Sequence, residues 1–171
     1  MSAETIREAL EKVGKALAEA GDKKPGKDQP ATATLRAGLG FQVTGPSGQL
    51  VQTDMPRVMG GGGTGPGPGW VLRAALASCT ASVIAMRATS IGVELDTLEV
   101  TVESESDSRG MLGVGGKVSA GLLKLSTAVR IGAAKASADQ LREIVRWADE
   151  HSPVASTLRE RPEMGIHIQV V

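Results

Sequence analysis

Apolar positions open the chain at three- and four-residue intervals. Ile6, Leu10, Val13 and Leu17 follow that rhythm and predict an amphipathic helix. Ser2 suits its N-cap, and Glu4 suits the positive end of the helix dipole. Residues 21–30, GDKKPGKDQP, stop the helix and read as a linker. Residues 1–30 are therefore expected to form a helical arm and linker, ahead of a main domain over residues 31–171. From residue 31 the period falls to two. Thr32, Thr34 and Arg36 alternate with Ala33 and Leu35, and residues 41–44 and 49–53 flank a Gly45-Pro46-Ser47-Gly48 turn signal.

A glycine-rich run over residues 60–69 then leads into a strongly apolar segment, read as a helix from about Trp70 to Ser90 and stopped by Gly92. Little polar face remains on it, so burial on most sides is expected. Alternation returns at Leu98, Val100 and Val102, and again at Leu125, Thr127, Val129 and Ile131, with a polar turn over residues 104–116 between them. Ser137 and Gln140 form a capping-box pattern before Leu141, Ile144, Val145 and Ala148, a helix expected to end near Glu150 ahead of Pro153. Ile166, Ile168 and Val170 alternate with His167 and Gln169 as a last strand. Strands, a buried helix, strands, a helix and a strand make an α+β domain with antiparallel sheet.

Composition narrows the picture. Nineteen basic residues balance nineteen acidic ones, which argues against broad capture of nucleic acid or an acidic membrane. Aromatics are only 2% of the chain, so the core must be built from Ala, Val, Leu and Ile. Such a core is thin for a monomer and favours an oligomer. The most apolar stretch, residues 74–86 between Arg73 and Arg87, is too short to span a bilayer. The first twenty residues are charged and amphipathic, unlike a secretory leader. A cytoplasmic location is the default expectation.

Candidate chemistry is sparse. One cysteine excludes an intramolecular disulfide and a cysteine-rich zinc site, and two histidines exclude a His-rich one, so no metal or cofactor is called for. The glycine-rich run ends Pro68-Gly69-Trp70 and lacks the Gly-Lys-Ser/Thr of a phosphate loop. Glu99 and Glu103 read as one exposed strand face rather than an acid–base pair. Cys79 lies mid-helix. Leu72, Leu76, Val83 and Met86 share its face with Ala75, and Ser82 is the one polar neighbour. As a bare residue it reads as a small apolar filler.

The order of residues around Cys79 points further. Gly65-Pro-Gly-Pro68-Gly-Trp-Val-Leu-Arg-Ala-Ala-Leu-Ala-Ser-Cys79 resembles the OsmC/Ohr family of thiol-dependent hydroperoxide reductases. In that family a Gly- and Pro-containing segment enters a long Ala-rich helix carrying the peroxidatic cysteine. Asp149-Glu-His-Ser152-Pro-Val-Ala-Ser156-Thr-Leu158 stands where the family has a second cysteine followed by Pro. The likeness runs from about Ala31 to Val171. It implies an OsmC-like fold in which antiparallel sheets wrap two central helices in an intertwined homodimer. It also implies a thiolate that attacks a hydroperoxide, releasing an alcohol and leaving a sulfenic acid.

The resemblance assigns Cys79 as nucleophile and Arg36 as the site arginine, with Arg57 its rival. Leu72, Leu76, Val83 and Met86 would line the substrate's apolar pocket. Two departures matter. The residue after Pro68 is Gly69 where the organic-hydroperoxide subgroup has a Glu, and the resolving position is Ser152, which cannot form a disulfide. A one-cysteine peroxidase served by an external thiol is one reading. A non-catalytic OsmC-fold protein for small-molecule binding or redox sensing is the other. His151 is read as a helix-end residue favoured by the dipole, or else as a neighbour of Cys79. His167 is read as solvated.

Overall fold

A computed structural model describes residues 2–21 and 26–171. Residues 22–25, inside the expected linker, lie outside the described residues. By Cα proximity the chain forms two compact units, Met1–Val13 with Ala75–Val171, and Gly14–Ala74. Helix α1 (Ala3–Glu19) begins where Ser2 Oγ accepts the Thr5 backbone N–H at 3.2 Å. None of its residues is buried.

The 14–74 unit holds a three-stranded antiparallel sheet of β1 (Thr32–Leu35), β2 (Phe41–Thr44) and β3 (Leu50–Thr53). Thr32 pairs with Thr44, and Phe41 pairs with Thr53. After β3, Asp54 organises the glycine-rich loop from a buried position. Its Oδ1 accepts the Met55 N–H at 2.7 Å, and its Oδ2 accepts the Thr64 N–H at 3.1 Å and the Thr64 hydroxyl at 2.8 Å. The loop then crosses back over the Met55 backbone. A Cβ on Gly61 would lie 1.9 Å from the Met55 carbonyl oxygen, so only glycine fits there. This loop turns tightly around a carboxylate, and an anion-binding role has no support in it.

Helix α2 (Pro68–Ser90) follows. Gly92 ends it in the left-handed region at φ 73, and the Val93 N–H closes on the Ala88 carbonyl at 2.8 Å. At 23 residues it is long and apolar enough, by length and composition alone, to cross a membrane. Counting only residues 74–86 underestimates it, because helix continues into the flanks. Burial also departs from expectation. Only Leu76, Thr80, Ile84 and Ala88 are buried, one stripe at four-residue spacing. One chain covers only that stripe, and Trp70, Leu72 and Met86 stay exposed.

In the larger unit β4 (Thr97–Ser106) and β5 (Leu122–Gly132) form an antiparallel pair with a register shift at Glu105/Ser106. Glu99 faces Arg130 across the strands and pairs with it at 3.3 Å on an exposed face. The opposite face packs on the core. That core joins Ile84 and Ala88 of α2 to Ile144 and Ala148 of α4 (Ala138–His151), with Leu98, Val100, Val129 and Ile131 against them. Ser137 caps α4 by accepting the Gln140 N–H at 3.2 Å, as its sequence pattern predicts.

Two short helices go beyond the sequence pattern. In the 104–116 turn, Asp107 caps α3 (Ser108–Leu112). Directly after α4, Ser152 caps α5 (Pro153–Arg159), and Pro153 occupies the first turn. The last expected strand does not form. Residues 160–171 carry no strand, and Ile166 is 91% exposed. Alternation alone makes no strand, because a strand needs a neighbour's backbone to pair with.

The Asp54 contacts yield a pH prediction. Hydrogen bonds led by the Thr64 backbone N–H, then its hydroxyl, hold this carboxyl below the usual carboxylate range. A depressed folded pKa adds stability above the ordinary value of about 3.9, and that stability is lost as pH falls through the lower, folded value. Asp54→Asn should therefore lower the urea midpoint at pH 7. The gap between parent and variant should shrink as pH drops below about 4. A gap independent of pH would show that the charge contributes nothing.

Candidate active site

Cys79 lies one turn after the buried Leu76 and is half-buried. The core contact between α2 and α4 carries the end of α4 toward it. There Ser152 is completely buried, and its hydroxyl donates to Cys79 Sγ at 3.3 Å. Ser152 Oγ also accepts the Ala155 N–H of α5 at 3.4 Å, which leaves its single hydrogen for the sulfur. Two residues 73 positions apart thus form one thiol–hydroxyl pair.

The chain turns sharply at this pair. Ser152 is in the extended region, with φ −77 and ψ 115, between α4 and α5. Pro153 fits as the first residue of α5 because the first turn leaves its N–H unused. Arg159, at the end of α5, reaches back to Asp149 of α4. It donates to the Asp149 carbonyl at 2.9 Å and to its carboxylate at 2.6 Å. Beside this elbow lies a cavity of about 260 Å³. Leu76, Leu125, Ala155 and Leu158 give it an apolar side, while Thr127, Asp149 and Arg159 supply polar groups. An apolar wall beside a few polar groups is the general form of a small-molecule site.

The other anticipated residues are distributed differently. Leu76 lines this cavity, and Val83 packs against the hydrophobic core. Leu72 and Met86 are exposed on α2. Arg36 follows β1, and its guanidinium donates to Gln42 Oε1 of β2. Arg57 opens a short 3-10 turn, Arg57–Met59. His151 engages Trp147. Its Nδ1–H donates to the Trp147 carbonyl at 2.7 Å, and its ring stacks on the indole at 3.9 Å. The Arg87 guanidinium lies 4.7 Å from the Trp147 ring centroid, which ties α2 to α4. His167 is exposed. Among the described residues, no group of His, Cys, Asp and Glu is arranged to hold a metal ion.

The Asp149–Arg159 pair and helix α5 are additions to the sequence reading. Ser152-Pro153 carried the signal, since a cap residue before proline opens a helix as readily as it closes one.

Similarity to known proteins agrees with this architecture. The sequence profile of the OsmC-like protein family matches residues 60–167. A comparison with curated proteins returns no match. Among solved structures, the chain is similar to an OsmC-like protein of Mycoplasma pneumoniae (TM-score 0.67, 17% identity, covering 80% of this chain and 91% of that one). It is also similar to the organic hydroperoxide resistance protein OsmC of Legionella pneumophila (0.58, 22%, 80% and 93%). A third is the organic hydroperoxide resistance protein OhrB of Bacillus subtilis (0.51, 21%, 79% and 93%). At these identities the structures speak for the fold, an α+β arrangement of helices and antiparallel sheets. The profile covers well over half of the sequence, including Cys79 and Ser152, and on that ground the chain belongs to the OsmC-like protein family.

Proposed function

We propose that this OsmC-like protein reduces organic hydroperoxides, with Cys79 as nucleophile and a soluble thiol as resolver. The contact between Ser152 Oγ and Cys79 Sγ carries the reading. It brings the two segments that resemble the family's cysteine motifs to one point, beside a partly apolar cavity. The thiolate is the form of a cysteine that attacks.

The cycle balances without a cofactor. The Cys79 thiolate attacks the outer peroxide oxygen, an S–O bond forms and the O–O bond breaks. The departing alkoxide takes a proton and leaves as the alcohol. Sulfur is oxidised by two electrons to the sulfenic acid and the peroxide is reduced by two. One external thiol then displaces water to give a mixed disulfide. A second releases Cys79 and departs as the symmetric disulfide. A second reading, small-molecule binding or redox sensing without turnover, draws on a specific observation. Ser152 and Gly69 replace residues that the two-cysteine cycle uses.

We also infer a cytoplasmic homodimer. The exposed apolar surface of α2 and the exposed Met164, Ile166, Ile168 and Val170 support a second chain as cover. Sedimentation at micromolar concentration should give the mass of two chains. A compact monomer there would remove this inference.

Cumene hydroperoxide tests the chemistry. Without added thiol, intact mass should show one or two added oxygens on Cys79 and no intramolecular disulfide. Ser152→Cys should instead trap a disulfide between Cys79 and the introduced thiol, because the two side chains already meet. An unreactive Cys79 in the parent rejects the peroxidase reading and leaves the binding reading. An oxidised Cys79 that never bonds to the new thiol rejects the alignment of the second motif.

Arg36 carries the role of site arginine through the family resemblance. Arg36→Ala should slow peroxide consumption about tenfold or more if it stabilises charge at the reacting atoms, a loss of at least about 1.4 kcal/mol. An unchanged rate, with slowing in Arg57→Ala instead, transfers the role to Arg57.

A further inference from the structure

The elbow between α4 and α5 contains more hydrogen bonding than a helix junction requires. The last carbonyls of a helix have no partner within it. Arg159 fills one of these vacancies by donating Nη1 to the Asp149 carbonyl at 2.9 Å, and it adds the Nη2 contact to Asp149 Oδ1 at 2.6 Å. Asp149 lies three residues before Ser152, and Arg159 lies seven after it. The pair therefore clasps the loop of chain whose vertex is Ser152. Inside the clasp, Ser152 is locked from both ends of its own polar set. Its carbonyl accepts the Ser156 N–H at 2.9 Å, and its hydroxyl is shared between Ala155 and Cys79.

We propose that Asp149 and Arg159 are positioning residues that hold the Ser152 hydroxyl on the Cys79 sulfur. Hydrogen bonds weaken steeply as they bend, so rotation between α4 and α5 would detach the hydroxyl from the sulfur. Both clasp side chains are about half exposed, at 50% and 54%. An ion pair so exposed adds little to global stability. Its effect falls on the angle of the elbow and thence on the thiol. This proposal rests on the reading of Cys79 as the reactive thiol of the site.

The test is alkylation of Cys79 by iodoacetamide in the full chain at pH 7, followed by intact mass. It needs no peroxide, so it is independent of turnover. Ser152→Ala should slow alkylation about threefold to tenfold, the scale of one ordinary net hydrogen bond. Arg159→Gln and Asp149→Asn should each slow it in the same direction, and Arg159→Lys should retain part of the parent rate. The decisive comparison is the double-mutant cycle. Arg159→Gln should have no further effect in the Ser152→Ala background, because it acts through the missing hydroxyl. It should still slow alkylation in Ser152→Thr, which keeps a hydroxyl and a cap and serves if the alanine variant does not fold. Equal slowing in the Ala and parent backgrounds, or no slowing in the parent, overturns the proposal. Intact coupling in a protein that consumes no hydroperoxide would overturn the peroxidase reading alone.

Discussion

The packing of Ile84 and Ala88 against Ile144 and Ala148 is the constraint on which the site depends. Neither Cys79 nor Ser152 has any local reason to meet the other. Cys79 is placed by its position one turn after Leu76 and five residues before Ile84. Ser152 is placed by following Ala148 by four residues, just beyond the last turn of α4. Once the two apolar pairs lock, the thiol and hydroxyl are brought to 3.3 Å. The small side chains of Ala88 and Ala148 matter here, because larger ones would overpack this cluster and shift the helices. Arg87 against Trp147 adds a second contact between the same helices, on the side chains adjacent to those alanines.

That core is narrow, and its narrowness explains the rest of the surface. With almost no aromatic area to bury, the chain encloses one stripe of α2 and the inner face of a two-stranded sheet. Apolar residues along α2 and at the chain's end stay in contact with solvent. Such surface is costly in water unless something covers it. The same feature bears on the length of α2. A helix meets the criteria for a membrane span by length and apolarity alone, and a core helix meets them for a different reason. Family membership assigns this helix to an α+β fold with antiparallel sheet.

The features legible in the sequence were those created by local physics. Alternation located β4 and β5, the capping box located α4 within a residue or two, and Gly92 marked the end of α2. Helix α5 was hidden because Pro153 reads as a stop, although proline is also a favoured first residue. Helix α3 was hidden in a Gly- and Ser-containing run where only Asp107 signals a cap. The expected strand over residues 166–170 failed for a physical reason of another kind, since pairing is a property of two strands and periodicity of one. For the site, spacing could nominate Cys79 but never Ser152, because 73 positions of separation carry no periodic signal between them. Resemblance supplied that pairing. It could not supply Asp149–Arg159, a contact made by the elbow's geometry.

Serine in place of a second thiol separates two tasks that one sulfur would combine. A thiol at position 152 could donate a weak hydrogen bond and could also capture the oxidised partner. A hydroxyl donates more strongly but holds no electrons that a sulfenic acid can use. In the proposed cycle Ser152 therefore acts before oxidation, on the thiolate, and leaves its repair to whatever thiol reaches the sulfur. Burial makes this division sharper. Ser152 is sealed while Cys79 is half-buried, so the donor is protected from competing water. A sealed hydrogen-bond donor is worth keeping only if its direction is fixed. For that reason the cap on α5 and the clasp across the elbow belong to the chemistry of this site as much as to its fold.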